Sequence, residues 1–247
     1  MIVLGLDTAT PATAVALRLS DGSSIEARDD PDPGARPGHT AWLLALAARV
    51  LGDAGISWSA LDRIVAGTGP GTFTGLRIGI STARALAQSL GAELCGVSSL
   101  RALAWHAPAP GDPVVAVIDA RRGEAFLAAY RAAAELERGA PRRSAPHEVL
   151  APCVASPEQL APLLRHAGVV VGAEERWTAV GDGALRFRTL LEEAGASVPD
   201  GRSPVHRVSA RAICELGAAG AALEAVDALV PEYLRRPDAE LALEGAR

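Results

Sequence analysis

Gly67-Thr68-Gly69-Pro70-Gly71-Thr72-Phe73-Thr74-Gly75 is the stretch around which the rest of the chain is organised. Before it, Arg63-Ile64-Val65-Ala66 is a short apolar run bounded by a turn signal, the mark of a buried strand. After it, Leu76 to Leu90 has no proline and only Gly79 as a breaker, which predicts a helix stopped by Gly91. Gly69, Pro70, Gly71 and Gly75 crowd into seven residues, so the linker reads as a tight loop outside regular structure. Strand, glycine loop and helix N-terminus together can present amides to an anion. The loop lacks the lysine of a Walker A motif and does not match G-x-G-x-x-G.

The helix carries further information. Arg77, Ser81, Arg84 and Gln88 fall into one narrow polar wedge, and almost everything else is apolar or small. A helix on one sheet face needs an apolar stripe little wider than about 100°. Gly75, Gly79, Ala83 and Ala87, at successive i+4 spacing, would let another backbone approach closely. A helix sandwiched inside its own domain and a helix that meets a partner protein both satisfy this pattern. His39 to Leu51, ended by Gly52 and Gly55, is a second helix of this kind, with Arg49 the lone charge between Thr40 and Leu51.

The 247 residues allow one large domain or two ordinary lobes, and 49% hydrophobic content is ample for a core. All 24 basic residues are arginine, the formal charge is −5, and no basic run exceeds two residues. That argues against a chain holding nucleic acid chiefly by its own basic face. Cys95, Cys153 and Cys214 are widely spaced and form no C-x-x-C pair, which fits a reducing compartment. The N-terminus has no basic leader region, and no apolar run reaches a membrane span. These features predict a soluble, cytoplasmic protein.

In chain order, strands are expected at residues 2–6, 14–19 and 24–28, the last two joined by the Asp21-Gly22 turn. Residues 93–97 give another strand, a helix opens at Ser98-Ser99 and runs to about Trp105, and residues 108–111 mark a hinge. The pattern then restarts: strand 114–118 ends in Asp119, Arg121-Arg122-Gly123 turns, and strand 124–130 follows. Since the first strand likewise ends in Asp7, a duplicated architecture is indicated. Ser156-Pro157-Glu158-Gln159 is a capping box opening a helix to about His166. Short strands are expected at 169–172 and 177–180, and helices over about 183–194 and 209–223. The Val230-to-Arg235 tail reads as extended.

Asp7 and Asp119, at corresponding strand ends, could face each other across a cleft and hold a metal and nucleotide; turn acids that only bond local amides give the same pattern. No H-x-x-x-H or H-E-x-x-H pair exists, and the nearest match to G-x-S-x-G places Phe73 at the nucleophile position. No catalytic residue, metal site or resident cofactor is therefore predicted.

Five stretches carry a resemblance: residues 4–8 (LGLDT), 69–79 (GPGTFTGLRIG), 96–100 (GVSSL), 119–124 (DARRGE) and 231–235 (PEYLR). Together they resemble the TsaB (YeaZ-like) family, accessory subunits for threonylcarbamoyl modification of tRNA. Thr72 and Ala9 stand where the family usually has serine. The resemblance implies an α/β, two-lobed actin/hexokinase-like (ASKHA, ribonuclease H-like) fold with mixed sheets flanked by helices. Its N-terminal lobe would span 1–105, its C-terminal lobe 106–208 and its tail 224–247, with helix 209–223 a candidate to return to the first lobe. It further implies a non-catalytic, dimerising scaffold for the transferase subunit TsaD, with the TsaE ATPase reached through the complex, tRNA contacted indirectly, and self-pairing when alone. The metal-binding histidines of TsaD would fall at Ser99 and Leu103, neither of them a ligand of that kind. ATP or ADP is expected only at the partner interface. The partner-binding candidates are Trp42, Leu43, Leu46, Val50, Gly75, Leu76, Gly79, Ile80, Ala83 and Ala87; the candidates for nucleotide or anion contact are Asp7, Thr8, Gly69, Gly71, Thr72, Phe73, Thr74, Arg77 and Asp119. The alternative is a free-standing nucleotide-dependent phosphotransferase or glycoprotease-like hydrolase of the same fold.

Overall fold

The computed structural model describes residues 1–32, 34–105, 112–131, 145–169 and 177–235. Two five-stranded mixed sheets form its frame. The first contains β1 (Val3–Asp7), β2 (Thr13–Arg18), β3 (Ser24–Asp29), β4 (Arg63–Gly69) and β5 (Glu93–Ser98), in the order β3-β2-β1-β4-β5. The second contains β6 (Pro113–Arg121), β7 (Glu124–Arg131), β8 (His147–Ala155), β9 (Trp177–Val180) and β10 (Ala196–Ser197), in the order β10-β9-β6-β7-β8. Counted from its own first strand, each sheet has the order 3-2-1-4-5. In both, the first three strands are an antiparallel meander and the last two run parallel to the first. This is the two-lobed actin/hexokinase-like arrangement, and the strand–acid–turn–strand repeat was its trace in the sequence.

Strands β1, β2 and β6 are apolar nearly throughout because both faces of each sheet are covered. Leu4, Leu6, Val15 and Ile64 pack under α1 (His39–Ala54) and α2 (Phe73–Leu90) on the outer face of the first sheet. Val3, Ala14, Ala16 and Val65 point inward, to α3 (Ser99–Ala104), α7 (Ala210–Ala219) and the inner face of the second sheet. Val115, Val117 and Leu127 pack outward beneath α4 (Pro157–His166), α5 (Asp182–Arg186) and α6 (Arg188–Glu193). The alternation along each strand sends successive side chains to different layers.

Several boundaries differ from the sequence expectation. β4 continues to Gly69 and α2 already begins at Phe73, so only Pro70 to Thr72 lies outside regular structure. α1 passes through Gly52 and stops at Ala54, with Gly55 left-handed at φ 66°. The helix expected over 183–194 breaks at Phe187 into α5 and α6. α7 ends at Ala219, not Leu223: Arg63 Nη1 caps it by donating to the carbonyls of Gly217 (2.6 Å) and Gly220 (2.8 Å). Leu223 instead donates its N–H to the Leu94 carbonyl, covering the β5 edge. The expected hinge at 108–111 and most of the expected strand at 169–172 lie outside the described residues. No helix among the described residues is long and apolar enough to cross a membrane.

Candidate functional site

The β4–α2 turn is built against the β1–β2 loop. Thr72 donates its N–H to the Ala9 carbonyl at 2.8 Å, and a Cβ at Gly71 would overlap that same carbonyl. Thr8 Oγ1 donates to the Gly75 carbonyl at 2.7 Å. A Cβ at Gly75 would overlap the Thr8 carbonyl oxygen, and one at Gly79 would overlap Thr8 Oγ1. The glycine pair of α2 is therefore a cradle for Thr8 of the same chain. His39 closes this region: its Nδ1 lies 2.9 Å from Thr13 Oγ1, and its buried Nε2 faces Gly75 without a hydrogen-bond partner. Burial holds its pKa below the ordinary histidine value, against a smaller opposing pull from Asp29.

Asp7 is buried at the end of β1. Ser99 Oγ donates to its Oδ2 at 2.5 Å and the Ala9 N–H to its Oδ1 at 3.0 Å. Burial raises its pKa, while the Ser99 and Ala9 hydrogen bonds and the Arg28 charge pull it down. Gly67 leaves room for this carboxyl, which a Cβ there would overlap. Ser99 and Leu103, the two positions that the resemblance sets against metal-binding histidines, are both buried, Leu103 in the core between the sheets.

A cavity of about 390 Å³ lies between the two lobes. Gly71, Thr72, Phe73 and Thr74 line one side, Asp119 to Arg122 and Phe126 the other, and Glu232 to Arg235 a third. Asp119 reaches the cavity already neutralised: Arg186 Nη1 donates to its Oδ2 at 2.9 Å and the Arg121 N–H to its Oδ1, also at 2.9 Å. Its own N–H donates to Asp182 Oδ1 at 3.1 Å, and burial raises the Asp182 pKa. Arg121, Arg122 and Gly123 are all left-handed (φ 63°, 53° and 84°), which bends the β6–β7 turn over the cavity. The structure thus brings Gly71, Thr72, Phe73, Thr74 and Asp119 together and leaves Asp7, Thr8, Gly69 and Arg77 outside the lining. Asp7 and Asp119 do not face each other across it, because Asp7 turns inward to Ser99. No group of three or more His, Cys, Asp or Glu side chains among the described residues is placed to hold a metal ion.

Most of the partner-binding candidates are also placed differently from expectation. Leu43, Leu46, Val50, Leu76, Ile80, Ala83 and Ala87 are buried in the chain's own core, and Gly75 and Gly79 abut Thr8. Their side chains are spent on the first sheet. Trp42 alone of that set is exposed, at 48%. The outward face of α1 consists instead of Ala41, Leu44, Ala45 and Ala48, with Leu44 53% exposed. Since α1 is apolar on both sides, its periodicity could not say which side faced the sheet.

The polar wedge of α2 also has an owner. Arg84 Nη2 donates to the carbonyls of Asp227 and Leu229, each at 2.7 Å, and Arg77 Nε to Tyr233 Oη at 3.2 Å. The chain's own C-terminal segment lies along it.

Residues 33–243 match the family described as TsaD, tRNA N6-adenosine threonylcarbamoyltransferase. The chain is 34% identical to the tRNA threonylcarbamoyladenosine biosynthesis protein TsaB of Escherichia coli (strain K12) over 241 residues, 95% of each protein. An uncharacterized protein of Mycobacterium tuberculosis is 41% identical over 129 residues, 52% of this chain and 58% of that one. The solved structure of YeaZ from Pseudomonas aeruginosa matches with a TM-score of 0.73 at 28% identity, covering 94% of this chain and 99% of that one. Duplicated sheets and sequence together define a member of the actin/hexokinase-like class within the threonylcarbamoyltransferase-related group. Within that group, the chain belongs to the TsaB (YeaZ) family.

Proposed function

We propose that this chain is a non-catalytic scaffold subunit in tRNA threonylcarbamoyladenosine biosynthesis, which binds and activates a TsaD-type transferase in the cytoplasm. The observation that carries the reading is the outward face of α1. A helix that has already buried Leu43, Leu46, Ala47, Val50 and Leu51 against its own sheet still presents Ala41, Leu44, Ala45 and Ala48 to solvent. From Thr40 to Ala48 the helix has no charge; Arg49, paired with Asp53, is the first. Contiguous apolar surface of this kind favours association with a complementary helix face. The same face pairs two copies when the chain is alone and is exchanged for TsaD in the complex, through which TsaE and tRNA are reached. Any ATP or ADP sits at that interface. The alternative of a free-standing nucleotide-dependent enzyme is disfavoured by its own acids: Asp7 holds two protein donors and Asp119 holds Arg186.

The test is size-exclusion chromatography and TsaD pull-down of Leu44→Glu and Ala45→Arg, with circular dichroism to verify the fold, alongside a reconstituted threonylcarbamoyl transfer assay. Both side chains point to solvent in the monomer, so both variants fold, stay monomeric and fail to support transfer by TsaD. Folded variants that pair and activate normally would place the interface elsewhere.

A further inference from the structure

After α7 the chain crosses the β5 edge and follows α2 toward the cavity, and its contacts change character along the way. Leu229 is the fixed point: it is 1% exposed, and Gly96 leaves space for it, since a Cβ there would lie 2.8 Å from Leu229 Cδ1. Arg84 holds the backbone on either side of that anchor. Beyond Pro231 the polar and aromatic attachments lie at the rim, while the half-buried Leu234 packs against the core between the sheets. The Glu232 N–H donates to the Thr68 carbonyl at 2.8 Å, at the end of β4. The Tyr233 ring stacks on Phe73, with centroids 5.2 Å apart and planes at 28°, and the Arg77 guanidinium lies 3.8 Å from the Phe73 ring centre. All of these polar and aromatic contacts belong to the first lobe. Arg235 then reaches the second, where its Nη1 donates to Glu124 Oε2 at 2.8 Å, beside the β6–β7 turn.

The geometry points to residues 231–235 acting as a releasable clasp, which when docked joins the β4–α2 turn of one lobe to the β6–β7 turn of the other and closes the cavity between them. Every feature of a clasp is present. Its root at Leu229 is buried, so release does not free the whole tail. Its working end is held by an aromatic stack, the Glu232–Thr68 and Arg77–Tyr233 hydrogen bonds, an ion pair and the half-buried Leu234, with Tyr233 41% exposed. Contacts of that kind near solvent are individually weak, which places the segment at the low-stability end of local opening. Its four residues from Glu232 to Arg235 form one wall of the cavity, so undocking removes that wall. The proposal stands apart from the role of the α1 face, which is on other residues.

Hydrogen exchange measured by mass spectrometry on the full chain tests it, comparing wild type with Tyr233→Ala, Arg235→Glu and the charge-swapped pair Glu124→Arg/Arg235→Glu. Loss of a stack or ion pair of this size is expected to speed exchange about three- to tenfold. The increase should occur together in the peptides covering 71–76 and 121–126, on opposite lobes, with β1 and β4 unchanged. The charge-swapped pair should restore protection over 121–126. Acceleration confined to the tail, acceleration that includes β1 and β4, or a swapped pair no better protected than Arg235→Glu would each overturn the clasp.

Discussion

Gly75→Ala is a simple change whose sign separates two explanations of the α2 glycines. In a helix, alanine is favoured over glycine by about 1 kcal/mol, so at an open position the change stabilises. At Gly75 the added methyl overlaps the Thr8 carbonyl oxygen and lies 2.6 Å from Thr72 Oγ1 and 3.2 Å from His39 Nε2. The first neighbour is backbone, held by the β1–β2 loop, so α2 must move away. Overpacking of this kind costs about 1–3 kcal/mol. The movement also stretches the buried Thr8–Gly75 hydrogen bond, worth about 1 kcal/mol. Set against the helix preference, the net effect is a destabilisation of about 1–3 kcal/mol, or a fall of roughly 2–12 °C in Tm for a chain of this size. Gly52→Ala is the internal control: it too is helical, but nothing stands within 4 Å of its Cβ position, so it should be neutral or stabilising. Urea unfolding of the two variants and wild type, under conditions that keep the chain monomeric, is the assay. If the glycines existed for a partner, Gly75→Ala would strengthen the isolated fold and weaken only association. A Gly75→Ala chain as stable as wild type would refute the Thr8 cradle.

Three other outcomes follow from the same structure. Burial raises the pKa of Asp7, so the folded chain keeps a proton that the unfolded chain releases above its ordinary value of 3.8; this contribution to stability is lost as pH rises through the raised value. Asp7→Asn should therefore flatten the decline of the urea midpoint as pH rises above 3.8, and a steeper decline would contradict this. Arg63→Ala strips donors from the Gly217 and Gly220 carbonyls at the end of α7 and should cost about 2–4 kcal/mol; a loss under about 1 kcal/mol would mean that the cap contributes little. On α1, Ala48→Trp should leave the monomer Tm within about 2 °C of wild type while weakening self-association in sedimentation, since position 48 faces solvent. A fall in Tm without a change in association would contradict the outward assignment of that face.

Much of the frame could be read directly because both sheets bury both faces: continuous apolar runs mark β1, β2, β6 and β7, and those of β1 and β6 end in an acid before a turn. β8 escaped because an edge strand needs no continuous apolar run, and Pro152 with His147 and Glu148 reads as loop. β10, two residues long, leaves no periodicity to detect. The site was legible as a loop but not as a constellation. Gly71 to Thr74 and Asp119 do meet, yet symmetry between strand ends suggested Asp7 as the opposing acid, and only the position of Ser99 at the start of α3 shows that it turns inward. The small residues of α2 were legible as a demand for close approach. What approaches, Thr8 from the next loop, is fixed by tertiary placement that helical spacing does not encode.

The return of α7 to the first sheet imposes an order on synthesis. Cys214 Sγ lies under Gly5, Arg18 Nε donates to Glu215 Oε1 at 2.9 Å, and the Ala210 N–H donates to Glu26 Oε1 at 2.7 Å, so the strands of the first sheet are roofed by a helix made much later. At about 5–20 residues per second, the ribosome leaves the inner face of β1, β2 and β4 without that roof for several seconds to tens of seconds after β5 emerges. Through that interval Val3, Ala14, Ala16 and Val65 form an apolar surface with no permanent cover. A chain stalled before residue 210 would keep it uncovered. The nascent chain is therefore most in need of a chaperone while its second lobe is being translated, and least once α7 clears the exit tunnel.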